Sequence, residues 1–488
     1  MGKKFYITTA IDYANAKPHI GHALEKVQAD ALARFERARG SEVFFLTGTD
    51  EHGTKISRAA EEAQEEPQAF VDRVSKMFIA LRDALNLSWD GFVRTTDREK
   101  HWPGVIKMWN ALVAAGDIYK KSYQGLYCVG HEAFVTEKDL EGGICRDHKK
   151  IPEVIAEENY FFRLSRYKEK IKEAIEKEEL RIIPDSRRNE ILAFIEGLTD
   201  VSFSRPQKTL AWGIPVPNDE AQTMYVWADA LTNYISAVGY GIESGERETF
   251  SRLWPADVQL IGKDILRFHA AIWPGMLMAA KLPLPKALFV HGFITVEGEK
   301  MSKTVGNVID PVSLTERYGS DSVRYYLLRE IPSSGDGDWS EQKFRVLYNA
   351  DLANGIGNFA SRVLTLAERE GKIPSGTISA EVGSIIASAK KVFEEKMDAF
   401  RINEAIAALW SVYAFGDGYV NEKKVWAMEG DTDRKAVLYE LLSLLSETLD
   451  YLSCVLPHSA EVLRLSVKVD SDGSITVKKP PVLFPRLP

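Results

Sequence analysis

The chain reads as an α/β protein: a Rossmann-like parallel sheet, split by a connective insertion and followed by an α-helical bundle. Three observations carry that reading. A strand, an amphipathic helix and a second strand follow one another near the N-terminus, which is the grammar of a βαβ unit with a right-handed crossover. The same grammar returns at residues 258–290. From about Ser340 onward strands almost disappear and long helical periods take over.

Taken in order, Lys4–Thr9 is rich in aromatic and β-branched residues and reads as a strand, with a loop over residues 10–18. Ile20, Leu24, Val27, Ala31 and Phe35 then recur at three- and four-residue steps, a helix that Gly40 closes. Residues 42–47 form the second strand. Later, 258–261 is a strand, Gly262 a turn, 265–278 a helical stretch and 287–290 another strand. Between the halves the pattern breaks into hairpin-like pieces and a charged helical run at 167–177, as an insertion would. Helical periods at 347–368 and 436–452 mark the bundle, and Val467–Val469 with 474–477 reads as a terminal hairpin. The expected division is 1–119 and 227–290 for the two sheet halves, 120–226 for the insertion, 291–340 for a lysine-bearing loop and linker, and 341–488 for the helical domain.

The 488 residues are 45% hydrophobic and 27% charged, an ordinary composition for several soluble domains. No long uncharged apolar run predicts a membrane span. The basic start is followed by a short apolar stretch that Asp12 interrupts, so no signal peptide is expected and a cytoplasmic location is. Three scattered cysteines fit a reducing compartment. A net charge of −8 argues against a protein that simply coats nucleic acid, while leaving room for a local basic surface.

Two short stretches carry chemistry. His19-Ile20-Gly21-His22 falls where the first helix begins, at the C-terminal edge of its sheet, where open α/β sheets bind ligands and helix N-termini favour phosphate. Gly21 leaves room for a base or ribose against the backbone. Lys300-Met301-Ser302-Lys303-Thr304 lies between Gly298 and Gly306, a loop suited to closing over a triphosphate. Either stretch alone reads as a chance tetrapeptide or a solvated basic turn. Together, at two strand edges, they predict one ATP site assembled from two halves of the fold. Separately, Cys128-Val129-Gly130-His131 and Cys145-Arg146-Asp147-His148 form C-x₂-H…C-x₂-H, a pattern able to make a structural Cys₂His₂ zinc site.

The histidine and lysine stretches resemble the signatures of class I aminoacyl-tRNA synthetases. Four further motifs narrow the resemblance to the methionyl-tRNA synthetases: Ala10-Ile11-Asp12-Tyr13-Ala14-Asn15, Gly48-Thr49-Asp50-Glu51-His52-Gly53, Tyr225-Val226-Trp227-Ala228-Asp229-Ala230, and Gly262-Lys263-Asp264-Ile265. The resemblance spans most of the chain. It implies ATP-dependent activation of L-methionine to an adenylate and transfer to tRNA(Met), with Mg²⁺ on the phosphates. His19, His22, Lys300 and Lys303 would be catalytic, and Gly21, Gly262, Asp264, His291 and Ile294 would join them around ATP. Asp50 would take the methionine ammonium. Ile11, Tyr13, Trp227, Leu231, Tyr234, Ile265 and His269 would enclose the thioether, since sulfur packs well on aromatic rings. Read without the family, that aromatic stripe is core. Asn358, Arg362 and Trp426 would read the anticodon, whereas alone the first two are a solvated polar pair. The chain departs from the family at Thr304, where serine is usual, at Leu231, often proline, and at His131, usually cysteine.

Two other readings stand beside this one. A class I synthetase for leucine, isoleucine or valine would carry a much longer insertion with an editing domain. A catalytically idle tRNA-binding module would not need His19, His22, Lys300, Lys303 and Asp50 together. The chain ends soon after its helical bundle, so a monomer is expected.

Overall fold

The computed structural model describes residues 3–131, 133–135, 137–147, 149–242, 246–301 and 306–488. Lys303 and His148, both expected site residues, lie outside the described residues, as do Ser302 and Thr304.

Seven strands form the main sheet: β1 (Lys4–Thr9), β2 (Asp12–Tyr13), β3 (Glu42–Asp50), β4 (Gly91–Arg94), β5 (Arg181–Ile183), β6 (Val258–Gly262) and β7 (Ala287–His291). Their order is β5-β7-β6-β1-β3-β2, with β4 also on β3, and every pairing is parallel. Both faces are covered, which is why β1 and β6 read as continuous apolar runs; Tyr6, Ile7, Leu260 and Ile261 are fully buried. The order reverses between β1 and β6. From β1 the chain turns through α1 (Ile20–Ala38) to β3 on one side, while β7 lies on the other. The C-terminal ends of β1, β3, β6 and β7 therefore share one edge, carrying Thr9, Asp50, Gly262 and His291.

Three sequence expectations change here. The second strand runs on to Asp50, because residues 47–50 are buried beside β2 and β4. Residues 265–278 are not one helix. A 3₁₀ turn at Lys263–Ile265 leads to a π turn at Phe268–Ile272 and then an α-helix at Trp273–Ala279. Pro274 has no N–H to give the preceding turn, so the ladder changes register there. Finally, β5 lies inside the stretch expected as insertion yet pairs with β7 in the main sheet. A strand of three residues carries no readable period. The rest of that stretch includes the antiparallel pair Ile118–Cys128 and Glu153–Phe162.

The helices that matter below are α2 (Trp102–Ala114), α3 (Val226–Ala230), α4 (Asn233–Ser236), α5 (Ser320–Arg329) and α6 (Leu449–Val455). Beyond α5 the chain is a helical bundle, its terminal hairpin formed by Val467–Val469 and Ile475–Val477. A buried ion pair seats the bundle on the sheet domain. Arg324 of α5 meets Asp30 of α1 at 2.7 Å, both without exposure. The same guanidinium donates to the carbonyls of Val455 and Cys454 at 3.0 Å and of Leu85 at 3.1 Å. No described helix is long and apolar enough to cross a membrane.

Candidate active site

At one end of the sheet edge, His19 is the N-cap of α1, and the cap is made by imidazoles rather than by hydroxyls or carboxylates. His19 Nδ1 accepts the Gly21 N–H at 3.1 Å, and His22 Nδ1 accepts the His19 N–H at 3.0 Å. The two rings stack with centroids 3.8 Å apart. Because each Nδ1 accepts, each ring's proton sits on Nε2, and the pair presents neutral N–H donors. Burial, with His22 beside it, pushes His19 down to about 3. Burial, with Lys26 and His291 nearby, does the same to His22. Gly21 is required for a reason not foreseen: a Cβ there would stand 2.9 Å from His19 Cε1 and 3.8 Å from Met301 Cε.

His291, at the end of β7, behaves oppositely. Its Nε2 meets buried Glu25 of α1 at 2.9 Å and its Nδ1 the Gly292 carbonyl at 2.8 Å. Burial opposes the charge, but Glu25 outweighs it and raises the histidine above its ordinary value. A buried Asp12–Lys26 pair lies alongside. Asp264 is open to solvent above Gly262. Ile294 is buried in the core, so its side chain is a wall rather than a polar partner.

Lys300 is exposed on a two-residue strand, Glu299–Lys300, paired with Ile294–Val296. The Asn307 amide donates to the Lys300 carbonyl at 3.3 Å, and Ile20 N–H to the Ile309 carbonyl at 3.0 Å. The exit of the lysine loop is thus stapled to the start of α1. Gly306 holds φ +75°, a left-handed turn that few other residues adopt.

The other end of the edge is aromatic, with Asp50, Leu231, Tyr234 and His269 buried and Ile11, Tyr13, Trp227 and Ile265 half-buried. Tyr13 and Asp50 sit opposite each other in the β2–β3 register, and Ile11 lies against Gly48. Asp50 is buried, and its charge reaches Tyr234. The Tyr234 hydroxyl donates to His269 Nε2 at 2.7 Å, while His269 Nδ1–H donates to the Ile265 carbonyl at 3.1 Å. Burial takes His269 down to about 4, so it is neutral. Trp227 stacks flat on Phe268, centroids 3.7 Å apart and planes 8° apart, with His269 edge-on at 6.4 Å. Leu231 is buried between α3 and α4. Phe268 was missed because an ideal helix turns it away from His269; the π turn brings both to Trp227. Glu25 was missed because a carboxylate inside a helical period reads as solvated.

Elsewhere, Cys128, His131 and Cys145 hold their ligand atoms within 4.8 Å of one another, the metal-competent group among the described residues. Cys145 Sγ is 3.7 Å from His131 Nδ1, and His131 Nε2 meets Asp147 at 2.9 Å, as an outer carboxylate orients a ligating histidine. In the bundle, Asn358 and Arg362 both donate to Asp417, at 3.2 and 2.7 Å. Arg362 lies 5.6 Å from the ring of Trp426, which is 56% exposed. Residues far apart in sequence therefore meet on one polar face.

A parallel sheet whose switch point faces a histidine-capped helix and a lysine loop is the architecture of the class I tRNA synthetases, and residues 5–151 and 135–364 match the family described as tRNA synthetases class I (M). The chain belongs to that family, in its methionyl branch. It is 42% identical to the methionine–tRNA ligase of Brucella suis biovar 1, covering 99% of this chain and 98% of that one. It is also 42% identical to the methionine–tRNA ligase of Thermotoga maritima, covering 94% and 74%. Among solved structures it resembles the Mycobacterium tuberculosis methionyl-tRNA synthetase in complex with methionyl-adenylate, with TM-score 0.92, 38% identity and coverage of 99% and 100%. The free state of that synthetase gives 0.86 at 34% identity.

Proposed function

We propose that this chain activates L-methionine with ATP and transfers it to tRNA(Met). An oxygen of the methionine carboxylate attacks the α-phosphorus, the bond to pyrophosphate breaks, and methionyl-adenylate forms. A ribose hydroxyl at the tRNA 3′ end then attacks the acyl carbon, and AMP leaves. No covalent enzyme intermediate is needed, so catalysis is positioning plus stabilisation of developing charge.

The observation that carries this reading is the sharing of one sheet edge by a buried carboxylate in an aromatic pocket and a pair of neutral imidazole donors. Asp50 takes the ammonium, and Ile11, Tyr13, Trp227, Tyr234, Ile265 and His269 line the thioether, with Leu231 behind them. His19 and His22 offer Nε2–H to the phosphates, and neutral rings do so without repelling an incoming lysine. Lys300, with Lys303, supplies positive charge as pyrophosphate departs. Gly21, Gly262, Asp264 and His291 frame the nucleotide. Mg²⁺ would arrive on the triphosphate and neutralise it. Cys128, His131 and Cys145 suit a structural zinc, with His148 as fourth ligand; with four protein ligands its chemistry is to hold the insertion together. Asn358, Arg362 and Trp426 offer hydrogen bonds and a stacking face to anticodon bases.

Pyrophosphate exchange into ATP, run with each of the twenty amino acids, tests the reading. Methionine alone should support strong exchange. Equal exchange with leucine, isoleucine or valine would replace it with the branched-chain reading, and no exchange at all with the idle module.

A further inference from the structure

Behind the aromatic pocket runs a chain of four buried polar side chains that the chemistry above does not use. Asp229, on α3, is 1% exposed. One of its oxygens meets His52 Nδ1 at 2.6 Å and the other His101 Nε2 at 2.7 Å. His101 Nδ1 faces Ser236 Oγ at 2.8 Å. Three of these residues stand two positions beyond a pocket residue: His52 after Asp50, Asp229 after Trp227, and Ser236 after Tyr234. His101 joins them from just before α2.

The carboxylate fixes the donors on either side of it. Burial works against an ionised Asp229, but the two imidazoles hold it below the usual carboxylate range. A carboxylate only accepts, so His52 gives Nδ1–H and His101 gives Nε2–H, while Ser236 Oγ lies between His101 Nδ1 and the Asn233 carbonyl. The His52 ring is further enclosed by Trp212, centroids 5.6 Å apart, whose indole N–H donates to the Glu51 carbonyl at 2.6 Å. Charge-assisted bonds of this kind are short and directional, unlike the apolar contacts that could let a pocket wall recede.

We propose that His52, Asp229, His101 and Ser236 are positioning residues that fix the span between the ammonium-binding carboxylate and the aromatic end of the pocket, and so gauge the length of the amino-acid side chain. The inference rests on the proposed function. An apolar wall rejects one extra methylene only while it cannot move back, and β3 and the segment carrying α3 and α4, remote from each other in sequence, have no covalent reason to hold a constant spacing. The network supplies one.

The test compares pyrophosphate exchange with methionine and with ethionine, one methylene longer, in the wild type and in Asp229→Asn, His52→Ala and His52→Asn. Asp229→Asn and His52→Ala should raise the methionine KM by roughly tenfold while the ATP KM stays within about twofold. In both, the methionine-to-ethionine ratio of kcat/KM should fall at least about fivefold. His52→Asn, whose amide nitrogen can reach the Nδ1 position, should recover most of that ratio. An unchanged ratio in the two disruptive variants, or a His52→Asn no better than His52→Ala, would overturn the proposal. If Asp229→Asn does not fold, Ser236→Ala removes only the outermost bond and should lower the ratio by about twofold; no change there overturns it equally. A wild type without methionine-dependent exchange would instead sink the proposed function, and this inference with it.

Discussion

The aromatic end of the sheet edge and the lysine loop stand at opposite extremes of preparation. In the first, Tyr234, His269 and Leu231 are buried, the two polar ones hydrogen-bonded to each other, and Trp227 is already stacked on Phe268. In the second, Lys300 is exposed on a two-residue strand beside a left-handed glycine. Recognition of an unbranched apolar side chain depends on shape, and shape must exist before the ligand arrives. Stabilisation of a leaving pyrophosphate is needed only in the transition state, so a charge that binds no ground-state partner tightly serves it better. The histidine pair lies between: rigid as a helix cap, yet neutral.

This contrast can be broken most severely at Asp50. Asp50→Ala should lower methionine activation by roughly 10²-fold or more, because the ammonium would be buried unpaired; exchange kinetics near wild type would remove Asp50 from the pocket. Lys300→Ala should lower kcat for exchange by about 10²-fold and leave the methionine KM within about twofold. A rise in that KM would show that the loop takes part in recognition after all. Trp426→Ala, at the remote end, should raise the KM for tRNA by roughly tenfold without changing pyrophosphate exchange. The smallest effect concerns pH. His19, His22 and His269 are held at about 3, 3 and 4, below the 6.5 of a free imidazole. The unfolded chain binds protons there first, so their contribution is complete above pH 6.5 and drains away as pH falls towards those values. Between pH 7.5 and 5 the melting temperature should drop by several degrees, and less steeply in His22→Asn, where an amide can cap the helix without titrating. Equal slopes would mean that His22 is protonated in the fold.

Much of this was legible from residues alone. The first βαβ unit was, because β1 is rich in aromatic and β-branched residues and the apolar residues of α1 recur at three- and four-residue steps. The approach of the histidine stretch to the lysine stretch was as well: a Cβ at Gly21 would stand 3.8 Å from Met301 Cε. What escaped has physical causes. β5 is too short to show alternation. The π turn that delivers Phe268 depends on Pro274 acting through backbone hydrogen bonds, which no side-chain period reveals. Glu25, Lys26 and Asp30 read as the wet face of α1, yet each is buried, because the helix is covered by the sheet on one side and the bundle on the other. Asp229 and His52 were quoted only as letters within motifs; that they meet is a fact of topology.

The Arg324–Asp30 pair has a bearing on how this chain can be taken apart. Half of the pair lies on the helix that presents His19 and His22, and two of the guanidinium's other bonds end on α6, late in the bundle. Cutting the chain before the bundle would strip two carbonyl acceptors from this cation and let water reach it, leaving the pair as an exposed contact worth about 0–1 kcal/mol. An isolated catalytic half should instead clump through the apolar face that the bundle covers, where Phe35 packs on Phe393 and Phe289 on Phe400. Anyone trimming this protein to a minimal activating unit inherits that apolar face, and not the ion pair, as the first thing to redesign.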